Sequence, residues 1–341
     1  MRITIYGAGA IGGLFGAALA RAGEDVLLVD KVREHVDAMN RGGLRISGAE
    51  DFTVSVRACT PEEMNGPLGL TFLAVKSQDT AAALAVLAPH AWEETIVVSM
   101  QNGVNPPRIA ARLGAERVIA AFVSYPADWQ GPGHIEHGGL GDVWLGELDG
   151  ALTDRLEQVR SLVAHVARTH TTDNIYGYLW SKQIDCSLLF AQAVTDETMA
   201  DVWGNARYQP LLIALVSEGV AAAEAARIRL EPFGPFDPLK LRPRTEAETA
   251  EARAVLDRFA ALWRTRVKVR SGPWRDLAVR KRPTEVDHMV GWLVDEGRRR
   301  GVAMPLNERL VQQVHEIEQG KRDRGLGNLD ELDALRDRRP R

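Results

Sequence analysis

Met1-Arg-Ile-Thr-Ile-Tyr-Gly-Ala-Gly-Ala-Ile-Gly-Gly-Leu-Phe-Gly16 decides the fold. An apolar strand carried by Ile3 and Ile5 runs into Gly7-x-Gly9-x-x-Gly12 and straight on into a helix over residues 11–22, which Gly23 ends. Between a strand and a helix, Gly7 permits a tight turn, and Gly9 lets backbone approach a pyrophosphate with no Cβ in the way. Gly12 lets the new helix pack closely on the strand. Gly7, Gly9, Ala10, Ile11 and Gly12 are therefore read as a dinucleotide-binding start. The phosphates lie at the helix N-terminus, where unpaired N–H groups and the helix dipole favour negative charge.

The second strand, residues 26–29, ends at Asp30, eighteen residues after Gly12. A carboxylate there can accept the ribose hydroxyls of NAD and repel the 2′-phosphate of NADP. Lys31 and Arg33 follow and argue the other way, since either could hold that phosphate or simply be a solvated loop charge. NAD is favoured because the carboxylate discriminates by repulsion as well as attraction, with NADP as the alternative.

The chain has 341 residues, enough for two domains, and a formal net charge of −4 that gives no electrostatic case for nucleic acid or an anionic membrane. Cys59 and Cys186 are its only cysteines, too few for a disulfide framework or a zinc site, so no metal is expected. Met1-Arg-Ile-Thr4 already reads as strand with no signal-peptide pattern. No apolar run reaches the ~18 residues of a membrane span. A cytoplasmic protein with no membrane partner is expected.

Strand and helix alternate through the first half, as an α/β domain requires. Strands are expected at residues 44–46, 52–56, 70–75, 95–100, 118–125, 134–137 and 143–146, with Lys76 and Asn102 at strand ends beside the glycine loop. Helices dominate beyond residue 152: residues 152–168, 180–203, 211–227, 246–265, 284–300 and 307–319 carry helical apolar spacing. The expected organisation is a Rossmann domain over 1–172, an all-helical substrate and dimerisation domain over 173–330, and a charged tail over 331–341. Apolar helices suit a homodimer, although they pack equally well within one chain.

A nucleotide domain followed by helices suits hydride transfer, which needs a group to move the proton of the alcohol oxygen. Lys182, early in the first long helix of the second domain, is the leading candidate, although most lysines are solvated. Glu285 opens another expected helix, where a first-turn carboxylate is also favoured by the dipole alone.

At these residues the chain resembles the ketopantoate reductase family. The matching pieces are Gly7-Ala-Gly-Ala-Ile-Gly12, Val75-Lys76-Ser-Gln-Asp-Thr80, Gln101-Asn102-Gly103, Trp180-Ser-Lys182, Arg282-Pro-Thr-Glu285-Val-Asp287 with Gly291, and Pro305-x-Asn307, in family order. The resemblance implies Lys182 as general acid, Asn102 near nicotinamide and substrate, Glu285 holding cofactor and closing the cleft, and Lys76 on the cofactor side.

The departures fall in the substrate pocket. The family has asparagines four and eight residues after the lysine, and this chain has Cys186 and Phe190. The family's serine pair reads Ser271-Gly272 here, followed by Pro273-Trp274. Asp185, one turn from Lys182, could rebuild the pocket, together with Ser271, Trp274 and His288. The alternation of Arg264, Arg266, Lys268, Arg270 and Arg275 suggests a charged face that could draw in a carboxylate or merely be solvated. The expected activity is interconversion of a small hydroxy acid and oxo acid. The alternatives are a sugar-acid dehydrogenase, with or without coupled isomerisation, and a nucleotide-binding sensor without turnover.

Overall fold

Ile3-Thr-Ile-Tyr6 and Leu70-Thr-Phe-Leu73 are buried at all four positions, Thr4 and Thr71 included. Strands of this kind form where a parallel sheet is covered on both faces. The computed structural model describes residues 2–139, 141–265 and 269–338, and the chain divides into two units, Met1–Ile175 and Tyr176–Arg341.

The first unit runs β1 (Ile3–Tyr6), α1 (Ala10–Arg21), β2 (Val26–Val29), α2 (Arg33–Gly42), β3 (Leu44–Gly48), β4 (Phe52–Val54), β5 (Arg57–Cys59), β6 (Leu70–Leu73), α3 (Thr80–Leu87), β7 (Ile96–Ser99) and α4 (Pro106–Leu113). It continues through β8 (Val118–Ser124), β9 (Ala127–Gly131), β10 (His134–His137), β11 (Asp142–Glu147), α5 (Asp154–Val163) and β12 (Arg168–Thr171). Eight strands form one sheet in the order β12-β11-β8-β7-β6-β1-β2-β5. The six from β5 to β8 are all parallel, β11 is antiparallel to β8 and β12 parallel to β11. The chain winds outward from β1 through β2 to β5, then returns to the other side of β1 and winds out through β6, β7 and β8. That reversal opens a crevice beyond the carboxyl ends of β1 and β6, the position where doubly wound sheets bind ligands.

A second, four-stranded sheet, β4-β3-β10-β9, lies against α1. Two of α1's glycines make room for its neighbours: a Cβ on Gly13 would run into Ile135 of β10, and one on Gly16 into Leu28 of β2. Strands β5 and β9 and helix α4 are absent from the sequence expectation. Arg57-Ala-Cys59 and Ala127-Asp-Trp-Gln-Gly131 show no apolar alternation, and their pairing with β2 and β10 makes them strands.

The second unit follows from α6 (Ile175–Ala193) through α7 (Met199–Trp203), α8 (Gln209–Ala225), α9 (Glu246–Arg264), α10 (Gly272–Ala278), α11 (Val290–Arg299), α12 (Pro305–Glu318) and α13 (Gly327–Asp337). Three expectations need correction. The single helix over 180–203 is two, because Gln192 and Thr195 bond the backbone at the break (Gln192 Nε2 to Glu197 O, 2.8 Å; Thr195 Oγ1 to Gln192 O, 2.9 Å) and Thr198 caps α7. Glu285 does not open a helix. It precedes a short 3₁₀ turn, Val286–His288, and the α-helix begins only at Val290. Residues 331–337, expected as charged tail, continue α13, which buries Leu329 and Leu332 completely. Of the alternating cations, Arg266 and Lys268 lie outside the described residues, and Arg270 donates to the carbonyl of Asp196.

Asn307 gives this unit a buried polar knot. Its amide donates to Leu215 O (3.0 Å) and Glu218 Oε2 (2.8 Å), its carbonyl oxygen accepts from Ser187 Oγ (2.7 Å), and its backbone N–H also reaches Glu218 (3.0 Å). One fully satisfied amide therefore joins α6, α8 and α12. Buried polar groups are tolerated where every member finds a partner.

Candidate active site

The crevice is shaped mainly by backbone. Gly7 sits at φ +97°, where a Cβ would lie 2.7 Å from Val75 N, so only glycine lets the turn after β1 close against the segment after β6. A Cβ on Gly12 would strike the carbonyl of Gly7. Gly9, the N-cap residue of α1, differs: nothing stands within 4 Å of the place its Cβ would take, and no side chain caps the helix. Open space in front of uncapped N–H groups fits a pyrophosphate. His35, 1 % exposed on α2, braces the turn: its Nδ1 accepts from Gly133 N (2.9 Å), which leaves Nε2–H to donate to Ala8 O (2.9 Å).

At the end of β2 the Asp30 carboxylate accepts from the N–H of Val32 at 3.0 Å, a local turn that holds it at the strand end. Lys31 pairs with Asp79 (3.0 Å) and Arg33 with Glu63 (2.8 Å), so both cations next to Asp30 already have carboxylate partners.

The loops after β6 and β7 are locked together. Ser77 Oγ (2.5 Å) and Asn105 Nδ2 (2.7 Å) both donate to the carbonyl of Asn102, and Asn105 Nδ2 also reaches Ser77 Oγ (2.8 Å). Gln101 Nε2 donates to Val75 O (3.0 Å) and Thr80 Oγ1 (2.7 Å). Asn102 is thus held through its backbone, with Lys76 on the neighbouring loop. Ser77, Thr80 and Gln101 stand in the quoted motifs without a bonding role, and Asn105 escaped the sequence reading, because polar loop residues do not announce their partners.

In the second unit, Lys182, Asp185 and Cys186 lie one turn apart on α6, and Glu285 is close enough to Lys182 to act on its charge. Burial pulls the Lys182 ammonium below the ordinary lysine range, against the opposing pull of Cys186, Glu285 and Asp185. Asp185 is 7 % exposed, and burial raises its carboxyl to about 7 although Lys182 lowers it. Its Oδ1 has no hydrogen-bond partner among the described residues. Burial also pushes the Cys186 thiol well up. The turn bearing Glu285 is tied on two sides. Gln183 Nε2 of α6 donates to His288 O (3.1 Å), while Glu318 of α12 accepts from Thr284 N (2.7 Å) and Thr284 Oγ1 (2.8 Å).

The remaining pocket candidates divide. Cys186 and Phe190 are fully buried in the helical core. Ser271 caps α10, accepting from Trp274 N (3.2 Å) and donating to Leu189 O (3.2 Å). The Trp274 ring lies under Arg270 and Arg324, with guanidinium-to-centroid distances of 4.6 and 5.6 Å. His288 is half-buried. Among the described residues no cluster of His, Cys, Asp and Glu could hold a metal ion, and no helix is long and apolar enough to cross a membrane.

A doubly wound nucleotide unit followed by a helical unit defines a class of dehydrogenase folds. Within that class, the family model "Ketopantoate reductase PanE/ApbA" matches residues 3–150, and the C-terminal model of the same family matches residues 174–318. A 2-dehydropantoate 2-reductase of Pyrococcus abyssi is 31 % identical over 312 residues, 90 % of this chain and 94 % of that protein. The solved structure of a PanE/ApbA family ketopantoate reductase from Ralstonia eutropha is 28 % identical, with a TM-score of 0.80 over 94 % of this chain and 99 % of its own. D-mandelate dehydrogenase, solved with NADH and anilino(oxo)acetate, shares the fold at 22 % identity, with a TM-score of 0.81 over 94 % of this chain and 99 % of its own. The chain belongs to the ketopantoate reductase family, and it is a nicotinamide-dependent oxidoreductase acting on CH–OH groups.

Proposed function

We propose that the protein interconverts a small 2-oxo acid and its 2-hydroxy acid, with Lys182 as the acid and base. The observation that carries this reading is the partly buried Lys182 amine, drawn below its ordinary range beside Asp185, Cys186 and Glu285. A bound nicotinamide dinucleotide supplies or accepts the hydride. In reduction Lys182 donates a proton to the carbonyl oxygen, and in oxidation the neutral amine takes the hydroxyl proton. Burial shifts the ammonium in the direction that eases loss of its proton, which oxidation requires. Asn102 orients substrate and nicotinamide, Lys76 and Glu285 hold cofactor, and Gly7, Gly9, Ala10, Ile11 and Gly12 hold the pyrophosphate. NAD is the preferred cofactor: Asp30 occupies the strand end, and Lys31 and Arg33 are engaged by Asp79 and Glu63. Assembly as a cytoplasmic homodimer belongs to the same proposal, and light scattering reads its oligomeric part.

The substrate departs from ketopantoate. Cys186 and Phe190 stand where the family has two asparagines, and neither can complete those hydrogen bonds. Each loss costs ~1–3 kcal/mol, so the specificity constant for ketopantoate should fall about two to four decades below that for the preferred acid. A sugar acid is the second reading, favoured by Asp185, whose buried unpartnered oxygen could accept from a substrate hydroxyl. The test is NADH and NADPH oxidation against a panel of 2-oxo acids that includes ketopantoate, with the reverse reaction run on sugar acids. Efficient turnover of ketopantoate would overturn the substrate assignment.

A further inference from the structure

Arg33 is placed to receive a 2′-phosphate: it opens α2 three residues after Asp30, where dinucleotide sites that accept NADP hold an arginine. Its guanidinium is nevertheless committed elsewhere. Nη1 donates to Glu63 Oε1 at 2.8 Å, and Nη2 reaches Thr60 Oγ1 at 3.3 Å. Glu63 is itself fixed, because its other oxygen, Oε2, accepts the backbone N–H of Thr60 at 3.0 Å in a capping box around Pro61–Glu63. Thr60 is 3 % exposed. Most exposed ion pairs join two mobile side chains and contribute little. Here one partner is anchored to buried backbone, which removes much of the entropy that weakens such pairs.

We propose that Glu63 is a specificity-determining residue, which acts through Arg33 by occupying the guanidinium that would otherwise bind the 2′-phosphate of NADP. The proposal rests on the reading of Asp30 as the ribose ligand. Lys31 is held by Asp79 in a parallel but simpler pair, at 3.0 Å, and the Asp79 side chain makes no capping bond to the helix it precedes among the described residues. Asp37 and Glu62 add to the pull of Glu63 on Arg33, so an incoming dianion competes with several carboxylates for that guanidinium. On this account the site rejects NADP because its nearest arginine is already engaged by a carboxylate.

The test is nucleotide binding by the full-length protein, followed by nicotinamide fluorescence, and needs no knowledge of the substrate. Glu63→Gln keeps an oxygen for the Thr60 N–H and removes the charge. It should tighten NADPH binding about tenfold and leave NADH binding within about twofold. The gain should weaken as salt rises and vanish in the Glu63→Gln/Arg33→Gln double variant. Unchanged NADPH affinity alongside intact NADH binding would overturn the proposal, as would an equal gain without Arg33. Wild-type protein that binds NADPH more tightly than NADH would overturn the NAD reading on which it stands. A melting temperature close to wild type confirms that the variants compare folded proteins.

Discussion

The two units build their candidate sites from different materials. In the first, the crevice is a matter of absent side chains: Gly7 and Gly12 let backbone segments meet, and Gly9 leaves open space before a helix terminus. In the second, the candidate groups are polar side chains packed into an apolar helical core, with Asp185 and Gln183 buried on the helix that carries Lys182. Backbone geometry binds with little cost in stability. Buried ionisable groups react because they are uncomfortable, and the fold bears that cost.

The comparison breaks most readily at Lys182. Lys182→Met retains much of the side-chain length without the proton, so turnover should fall by roughly two to four decades while NADH affinity stays nearly intact. Hydride consumption and nicotinamide fluorescence measure the two separately. Near-wild-type turnover would leave nucleotide binding alone supported.

Asp185 should show the cost directly. Its carboxyl is raised to about 7 from 3.8, so between those values the native state keeps a proton that the unfolded chain releases. The stability it contributes is therefore complete below about pH 4 and is lost as pH rises towards 7. Urea denaturation at pH 5 and pH 8 should show Asp185→Asn flattening this decline, a difference on the order of 2–4 kcal/mol. Parallel pH profiles for the two proteins would mean that the carboxyl titrates normally.

Gly7 and Gly9 sharpen the contrast within the first unit. Gly7→Ala forces a Cβ onto a positive φ and against Val75, and should lower stability by about 2–4 kcal/mol in urea. Gly9→Ala meets no protein atom, so its urea midpoint should barely move while NADH affinity drops about tenfold. A destabilised Gly9→Ala, or one that binds NADH normally, would remove the case for a phosphate at that position.

The same contrast explains what the sequence disclosed. Gly7-x-Gly9-x-x-Gly12 was legible because its backbone demands admit no other residue at two of the three positions, and the buried strands because parallel sheets need unbroken apolar runs. Strand β5 was not, since Arg57-Ala-Cys59 becomes a strand only by pairing with β2. At Glu285 local preference pointed to a helix start. Glu318, far along the chain, takes both the N–H and the hydroxyl of Thr284 and holds the segment in a turn instead. Lys182 could be nominated from sequence, but its depressed ammonium depends on what burial removes around it. Periodicity carries no trace of that.

Helix α1 has neighbours on two sides, with Gly16 against Leu28 of the large sheet and Gly13 against Ile135 of the small one. A Cβ at position 13 would meet the tip of Ile135 and also, at 2.7 Å, the carbonyl oxygen of Ala8, so the nucleotide turn itself demands glycine there whatever the small sheet presents. A randomised library at positions 13 and 135, selected only for folding, should keep glycine at 13 while position 135 varies among apolar residues.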